Sequence, residues 1–277
     1  MKKARRVGLL LSLGVMVFIL AGCGRSTVTQ SSSGLWDHYV IWNFIQAIQF
    51  LSKIFGNSYG LGIIIFTVIV RIILLPLMFY QTKSMRKTTE LQPKLKVLQQ
   101  KYSAKDSETQ GKLREEQQKL YAEAGVNPVA GCLPILVQMP ILLALYQAIL
   151  RSQVLKTGSF LWMQLGDRDP YFILPILAAI FTFATSKLSV MSQPEQNVMT
   201  AAMTYGMPAI ILFSAITLPS ALSLYWVITN AFSVGQTMLL NNPFKINKER
   251  EEKQQAEKAK KRALEKAKRK AYKSKKK

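Results

Sequence analysis

The chain is poor in cysteine, histidine and acid. Its 277 residues include two cysteines, one histidine and fifteen Asp or Glu against thirty-seven Lys or Arg. Two cysteines, Cys23 and Cys132, give no support for a disulfide framework. The single histidine, His38, sits beside Asp37 and reads as a solvated pair at a membrane interface, not as a metal or catalytic site. No nucleophile–base set and no metal-ligand spacing is present. No GxxxxGK[ST] run is present either, so nothing points to ATP as an energy source. These absences argue against an enzyme and imply no cofactor. The scarcity of acid is sharpest in the long apolar runs, none of which contains Asp or Glu.

What is present in quantity is apolar residues, 49% of the chain, gathered in blocks. Several blocks approach the roughly 20 residues that cross a bilayer as a helix. The reading is an all-α polytopic membrane protein with five spans, at about 59–80, 129–150, 171–190, 198–218 and 221–240. Pro76, Pro134, Pro140, Pro175 and Pro208 fall in or near these spans and predict kinks. Leu35 to Phe55 reads as an amphipathic helix on the outer surface. Ile41, Phe44, Ile45, Ile48, Leu51 and Phe55 form its apolar face, Asn43, Gln46, Gln49 and Lys53 the other, and Gly56 stops it.

The first residues read as a targeting segment. MKKARR is a basic n-region and VGLLLSLGVMVFIL an apolar h-region, followed by Leu20-Ala21-Gly22-Cys23. This looks like a bacterial lipobox, in which residues 1–22 are a signal peptide and Cys23 is the lipid-attachment site. A plain first transmembrane helix with a chance cysteine is the competing reading. Residues 24–34, polar and small, read as a flexible tether between the anchor and the amphipathic helix, in an external segment 23–57.

Basic residues orient the chain. Residues 81–127 carry ten Lys or Arg and six acids, and the tail 243–277 carries sixteen against five, about half of the net charge of +22. The loop after the second span carries three, Arg151, Lys156 and Arg168. The bias places 81–127 and the tail in the cytoplasm. Five spans then put the N-terminus outside, in agreement with the lipobox. In 81–127 the stripe Leu91, Leu95, Leu98, Tyr102 and a weaker stripe Leu113, Leu120, Tyr121 predict a hairpin of two short helices, the second opened by a Ser107-x-x-Gln110 capping box. The tail predicts a helix with a basic face, suited to RNA or anionic headgroups.

Arg71 lies inside FTVIVRIILLPL, a charge about nine residues from the end of its span. At that depth a charge costs roughly 2.5–3.5 kcal/mol on insertion-based scales. A buried ion pair needs an acid, and the spans have none. The distance to the cytoplasmic end, about 13 Å at helical rise, is long for snorkelling. A water-filled cavity removes much of the cost and leaves the charge free for a visitor. Thr67 is one turn away on the same face. Gln138 in the second span, Thr182, Thr185, Ser186 and Lys187 in the third, and Tyr225, Trp226, Thr229 and Asn230 in the fifth can line such a groove. Gln147 is out of phase with Gln138 and faces elsewhere. Taken singly, each Ser or Thr is better read as bonded to its own helix.

VIVRIILLPL, LQPKLKVLQQKY, AGVNPVAGCLPILVQMPILLALY and LPSALSLYWVITN, in that order, resemble the YidC family of membrane protein insertases, over about Tyr59 to Asn242. The resemblance implies a five-helix core around a hydrophilic groove, a cytoplasmic hairpin, and a basic tail that contacts the ribosome. It implies that Arg71 is the groove arginine, with Thr67, Gln138 and Trp226 at groove positions and Tyr225 beside one. The lipobox and short external helix look like the Gram-positive type. Ser186 and Asn230 complete the candidate groove. The implied partners are nascent membrane proteins, the ribosome, the Sec translocon and the lipid bilayer of a bacterial cell membrane. An anion-binding transporter and a non-inserting assembly chaperone are the alternative readings.

Overall fold

The computed structural model describes residues 26–127, 133–194 and 198–274. The signal segment 1–22, Cys23 and Cys132 lie outside them. The described residues are all-α apart from one two-residue strand pair. Helix α1, Trp42–Ile54, follows a π-helical turn Asp37–Ile41. Helix α2 is Tyr59–Glu90, α3 Gln92–Lys101, α4 Ser107–Glu123, α5 Leu133–Arg151 and α6 Gln153–Thr157. Strands β1, Ser159–Phe160, and β2, Met163–Gln164, pair antiparallel. Helices α7, Ile173–Met191, α8, Val198–Thr217, α9, Ser220–Leu240, and α10, Pro243–Ser274, complete the chain.

Among the described residues, three helices, α2, α7 and Thr200–Thr217 of α8, are long and apolar enough to cross a bilayer. Ile135–Arg151 of α5 is apolar and shorter. Helix α9 is more polar because it is the most enclosed. Ser220, Ser223, Tyr225 and Thr229 are all buried, and it packs against α2 on one side and α7 on the other. A helix that faces protein has no need of the apolarity that lipid demands.

Helix α2 runs on to Glu90, ten residues beyond the apolar run. Gln81–Glu90 contains no Gly or Pro, so the change of polarity marks a change of surroundings and not a helix end. Pro76, Pro140 and Pro208 lie inside continuous helices, whereas Pro134 and Pro175 fall in first turns, where no intrahelical N–H is required. The hairpin forms as α3 and α4, with one change at its cap. Asp106, not Ser107, caps α4, accepting from Thr109 N at 2.8 Å, and Gln110 Nε2 donates to Ala104 O at 2.8 Å.

The tightly packed core lies at the end of the bundle away from the hairpin. Ile41, Ile45, Ile48, Ile63, Leu145, Ile149, Leu155 and Leu165 are almost fully buried there. The amphipathic helix therefore does not merely rest on a surface: its Ile face is part of this core, while Phe55 is 45% exposed. Gly56 takes a positive φ of 69° just past its end. Gly62 lets α1 and α2 touch; a Cβ there would lie 2.1 Å from Ser52 Oγ.

Two polar clusters seal the same end. Arg151, 7% exposed, donates to both carboxylate oxygens of Asp37 at 2.9 and 2.5 Å and to Ser26 O at 2.8 Å. Gln147 Oε1 accepts from Arg151 at 3.2 Å and from Trp36 Nε1 at 3.3 Å. Asp37 is thus paired across the fold with Arg151, not with the adjacent His38. The expected flexible tether is also held from Ser26 on, with Val28 buried and its N–H on Arg151 O at 3.1 Å. In the second cluster buried Asp169 accepts from Trp162 Nε1, Tyr171 N and Leu174 N at 2.9, 3.1 and 2.7 Å, closing the start of α7. Ser220 and Ala221 N–H bond Asp167 O and Leu165 O at 2.6 and 3.1 Å, which ties α9 to that loop.

Candidate functional site

Helix α2 presents Ile63, Thr67, Arg71 and Met78 along one side, at spacings of four, four and seven residues. Thr67 is 2% and Arg71 6% exposed. Arg71 Nη2 donates to Gln138 Oε1 of α5 at 3.2 Å. Gln138 Nε2 in turn donates to Tyr225 Oη of α9. Arg71 Nη1 points along α2 towards Met78 Sδ, 3.6 Å away. Among the described residues no carboxylate pairs with Arg71.

Three candidate residues thus meet: Arg71, Gln138 and Tyr225, one from each of three helices. The guanidinium is enclosed by neutral polar groups and a thioether rather than standing open. Gln138 is half-buried. A neutral amide satisfies a donor without cancelling its charge, so Arg71 keeps the ability to attract an anion.

The remaining candidates lie around this trio. Thr67 Oγ1 donates to Ile63 O at 2.7 Å, so its hydroxyl is used by its own helix. Thr182 and Thr185 do the same, to Ala178 O and Phe181 O at 2.6 and 2.9 Å. Thr185 also reaches Asn230 O of α9 at 3.3 Å, and Ser186, half-buried, follows it. Asn230 Nδ2 bonds Trp226 O at 2.9 Å, and Trp226 packs half-buried against the core. Trp226 and Asn230 share a side of α9 one turn apart and are not bonded to Arg71. Gln147, at the far end of α5, faces Trp36 and Arg151.

Some residues were missed by sequence reasoning. Met78 lies two turns from Arg71, a spacing that places it on the same side, but a methionine in an apolar run carries no polar signal. Gln81, 5% exposed, continues α2 towards the hairpin. Among the described residues, Gln236 Oε1 on α9 and Gln193 Oε1 after α7, together with Thr229 Oγ1, which the sequence did single out, are buried oxygens without a hydrogen-bond partner. Orphan acceptors of this kind call for water or a visiting donor. A cavity of about 110 Å³ opens at the hairpin end, with Thr82, Ser189, Gln193, Gln236 and Arg250 beside Met85 and Leu240 in its walls. The bundle is therefore asymmetric, densely packed at one end and open, with polar side chains in its cavity walls, at the other.

Comparison with known proteins places this geometry. A family model described as 60Kd inner membrane protein matches residues 50–249. The membrane protein insertase YidC of Pediococcus pentosaceus is 61% identical over 255 residues, 91% of each chain. YidC 2 of Lactiplantibacillus plantarum is 63% identical over 256 residues, 92% of each chain. Membrane protein insertase MisCA of Bacillus subtilis is 44% identical over 241 residues, 86% of this chain and 92% of that one. A crystal structure of an active YidC insertase with its first transmembrane domain resolved is 31% identical, with a TM-score of 0.58. It matches 73% of this chain, which spans 46% of that longer one. The apolar helices and these relatives make the protein an integral protein of a bacterial cell membrane. The chain belongs to the 60Kd inner membrane protein family, the family of the YidC membrane protein insertases.

Proposed function

We propose that the protein is an insertase and chaperone that moves membrane proteins into the bilayer through a hydrophilic groove whose arginine transiently attracts acidic substrate segments. The observation that carries this reading is Arg71, buried at mid-span, held by Gln138 and without a carboxylate partner among the described residues. A polar segment that crosses unaided loses its hydration over the whole hydrocarbon thickness. A groove polar at the hairpin end and sealed at the other shortens that path. Coulomb attraction grows several-fold as the effective dielectric falls from bulk water to a protein environment, so Arg71 draws an acidic tail inward. The grip stays weak enough for release. The client's apolar segment then leaves sideways into lipid, where burial of about 20 apolar residues at ~25 cal/mol per Å² favours the product.

In this reading the hairpin and tail lie in the cytoplasm, in line with the basic bias of both segments. Cys23 carries the lipid anchor outside. The basic tail meets the ribosome, and the Sec translocon shares some clients. Reconstitution tests the proposal: ribosome-borne single-span clients are offered to liposomes containing only this protein. Protease-protected, correctly oriented client is the expected result. Solute flux without insertion would favour an anion transporter, and refolding of already inserted clients without insertion a pure assembly chaperone.

A further inference from the structure

The start of the C-terminal helix is docked, although its charges suggest a free tail. Pro243 and Ile246 are buried against the bundle. Asn247 Nδ2 donates to Met191 O at 3.0 Å, and Arg250 donates to Ser192 O at 2.8 Å and Gln193 O at 3.3 Å. Those carbonyls are the unpaired groups at the C-terminal end of α7, where a cation is favoured. Across the cavity mouth Arg86 Nη2 of α2 pairs with Glu249 at 3.3 Å, while its Nε pairs with Glu90 beside the hairpin. Arg86 and Arg250 both line this cavity, whose walls come from α2, α7, α9 and α10. One short segment of α10 therefore bridges α2 and α7 over the polar end of the bundle.

We propose that Asn242–Lys253 is a releasable latch that covers this mouth and opens when RNA takes hold of the rest of the same helix. The contacts suit release, because Arg86 and Glu249 are 41% and 42% exposed and such pairs are weak and screened by salt. The helix is continuous to Ser274, so a pull on its far part reaches the latch. Glu251 to Lys268 are all exposed. Between Glu251 and Lys277 there are thirteen Lys or Arg, four acids, and of large apolar residues only Leu264 and Tyr272. A helix that lies in a membrane surface needs an apolar face, which is lacking here. A rod of cations fits a phosphate backbone. The trigger rests on the ribosome reading given above, while the latch itself rests on the contacts.

The test uses the full chain in nanodiscs of neutral lipid, with Cys132→Ser and a reporter Ser189→Cys in the cavity wall. A bulky polar maleimide reads exposure at position 189 by peptide mass. Slow labelling is expected with the native tail, labelling several-fold faster with Arg250→Glu, and an intermediate rate with Arg250→Lys. Equal rates for the native tail and Arg250→Glu would overturn the latch. Purified ribosomes or structured ribosomal RNA added to the native-tail protein should speed labelling, and nuclease digestion of the RNA at unchanged salt should reverse this. RNA that binds by anisotropy without changing the rate overturns the coupling. Acceleration by anionic lipid in place of RNA overturns RNA as the trigger. Failure of RNA to bind sinks the ribosome reading alone, because the Arg250 variants judge the latch independently.

Discussion

Arg71 of α2 and Gln138 of α5 are joined by a 3.2 Å hydrogen bond from guanidinium to amide oxygen. The partner is neutral, which separates two roles that a carboxylate would merge. Gln138→Glu supplies a resident counter-charge. Thermal stability in detergent should hold or rise, while insertion of clients with acidic external tails should fall. Gln138→Leu should lower stability, since losing a hydrogen bond to a charged group costs about 1.5–3 kcal/mol. A purely structural role for the pair requires stability and insertion to move together in both variants.

Arg151 and Asp37 form a long-range ion pair, with side chains 5% and 21% exposed. Breaking a buried pair from one side costs about 3–5 kcal/mol, and the partial exposure of Asp37 puts this pair near the lower figure. Arg151→Met and Asp37→Asn should each lower Tm markedly. The double variant should be less destabilised than the sum, because it leaves no unpaired charge. Additive losses in melting experiments would mean that the two residues act separately.

Gly62 is where α1 meets α2. Gly62→Ala forces the contact with Ser52 Oγ and Ile48 O apart, an overpacking cost of about 1–3 kcal/mol. Ser52→Ala in the same chain should recover part of the lost Tm, since it removes the nearest atom. No recovery would place the strain on the Ile48 carbonyl, which a Cβ would meet at 2.7 Å.

The hairpin carries a pH dependence. The Asp106 carboxyl is held below the usual carboxylate range, first by the Thr109 backbone N–H that it caps. A depressed folded pKa gives stability that is complete above the unfolded value of about 3.9 and is lost as pH falls through the folded one. Protection of the amides at the start of α4, relative to their intrinsic exchange rates, should therefore fall at acid pH, below about 4. In Asp106→Asn, which still caps but does not titrate, that acid step should be absent.

The sequence carried the helical stripes, the separate phase of Gln147 and the scarcity of acid around Arg71, because each depends on local periodicity or on a missing residue type. It did not carry pairings between distant segments. Asp37 and Arg151 are 114 positions apart, and nothing in either neighbourhood marks the other. The docked start of α10 was hidden for a similar reason. KINKER reads as a solvated charge run until the α7 carbonyls that need Arg250 are placed beside it. The extension of α2 to Glu90 was hidden because polarity reports the surroundings of a helix and not its length.

The most direct measurement compares one single-span client bearing either an acidic or a neutral external tail, inserted into liposomes by the wild-type protein and by Arg71→Ala. Arg71→Ala should slow the acidic-tailed client by about tenfold, an electrostatic loss near 1.4 kcal/mol, and leave the neutral-tailed client nearly unchanged, with Arg71→Lys between. Equal rates for wild type and Arg71→Ala with the acidic tail, or equal losses for both tails, would contradict an arginine that works by attracting charge.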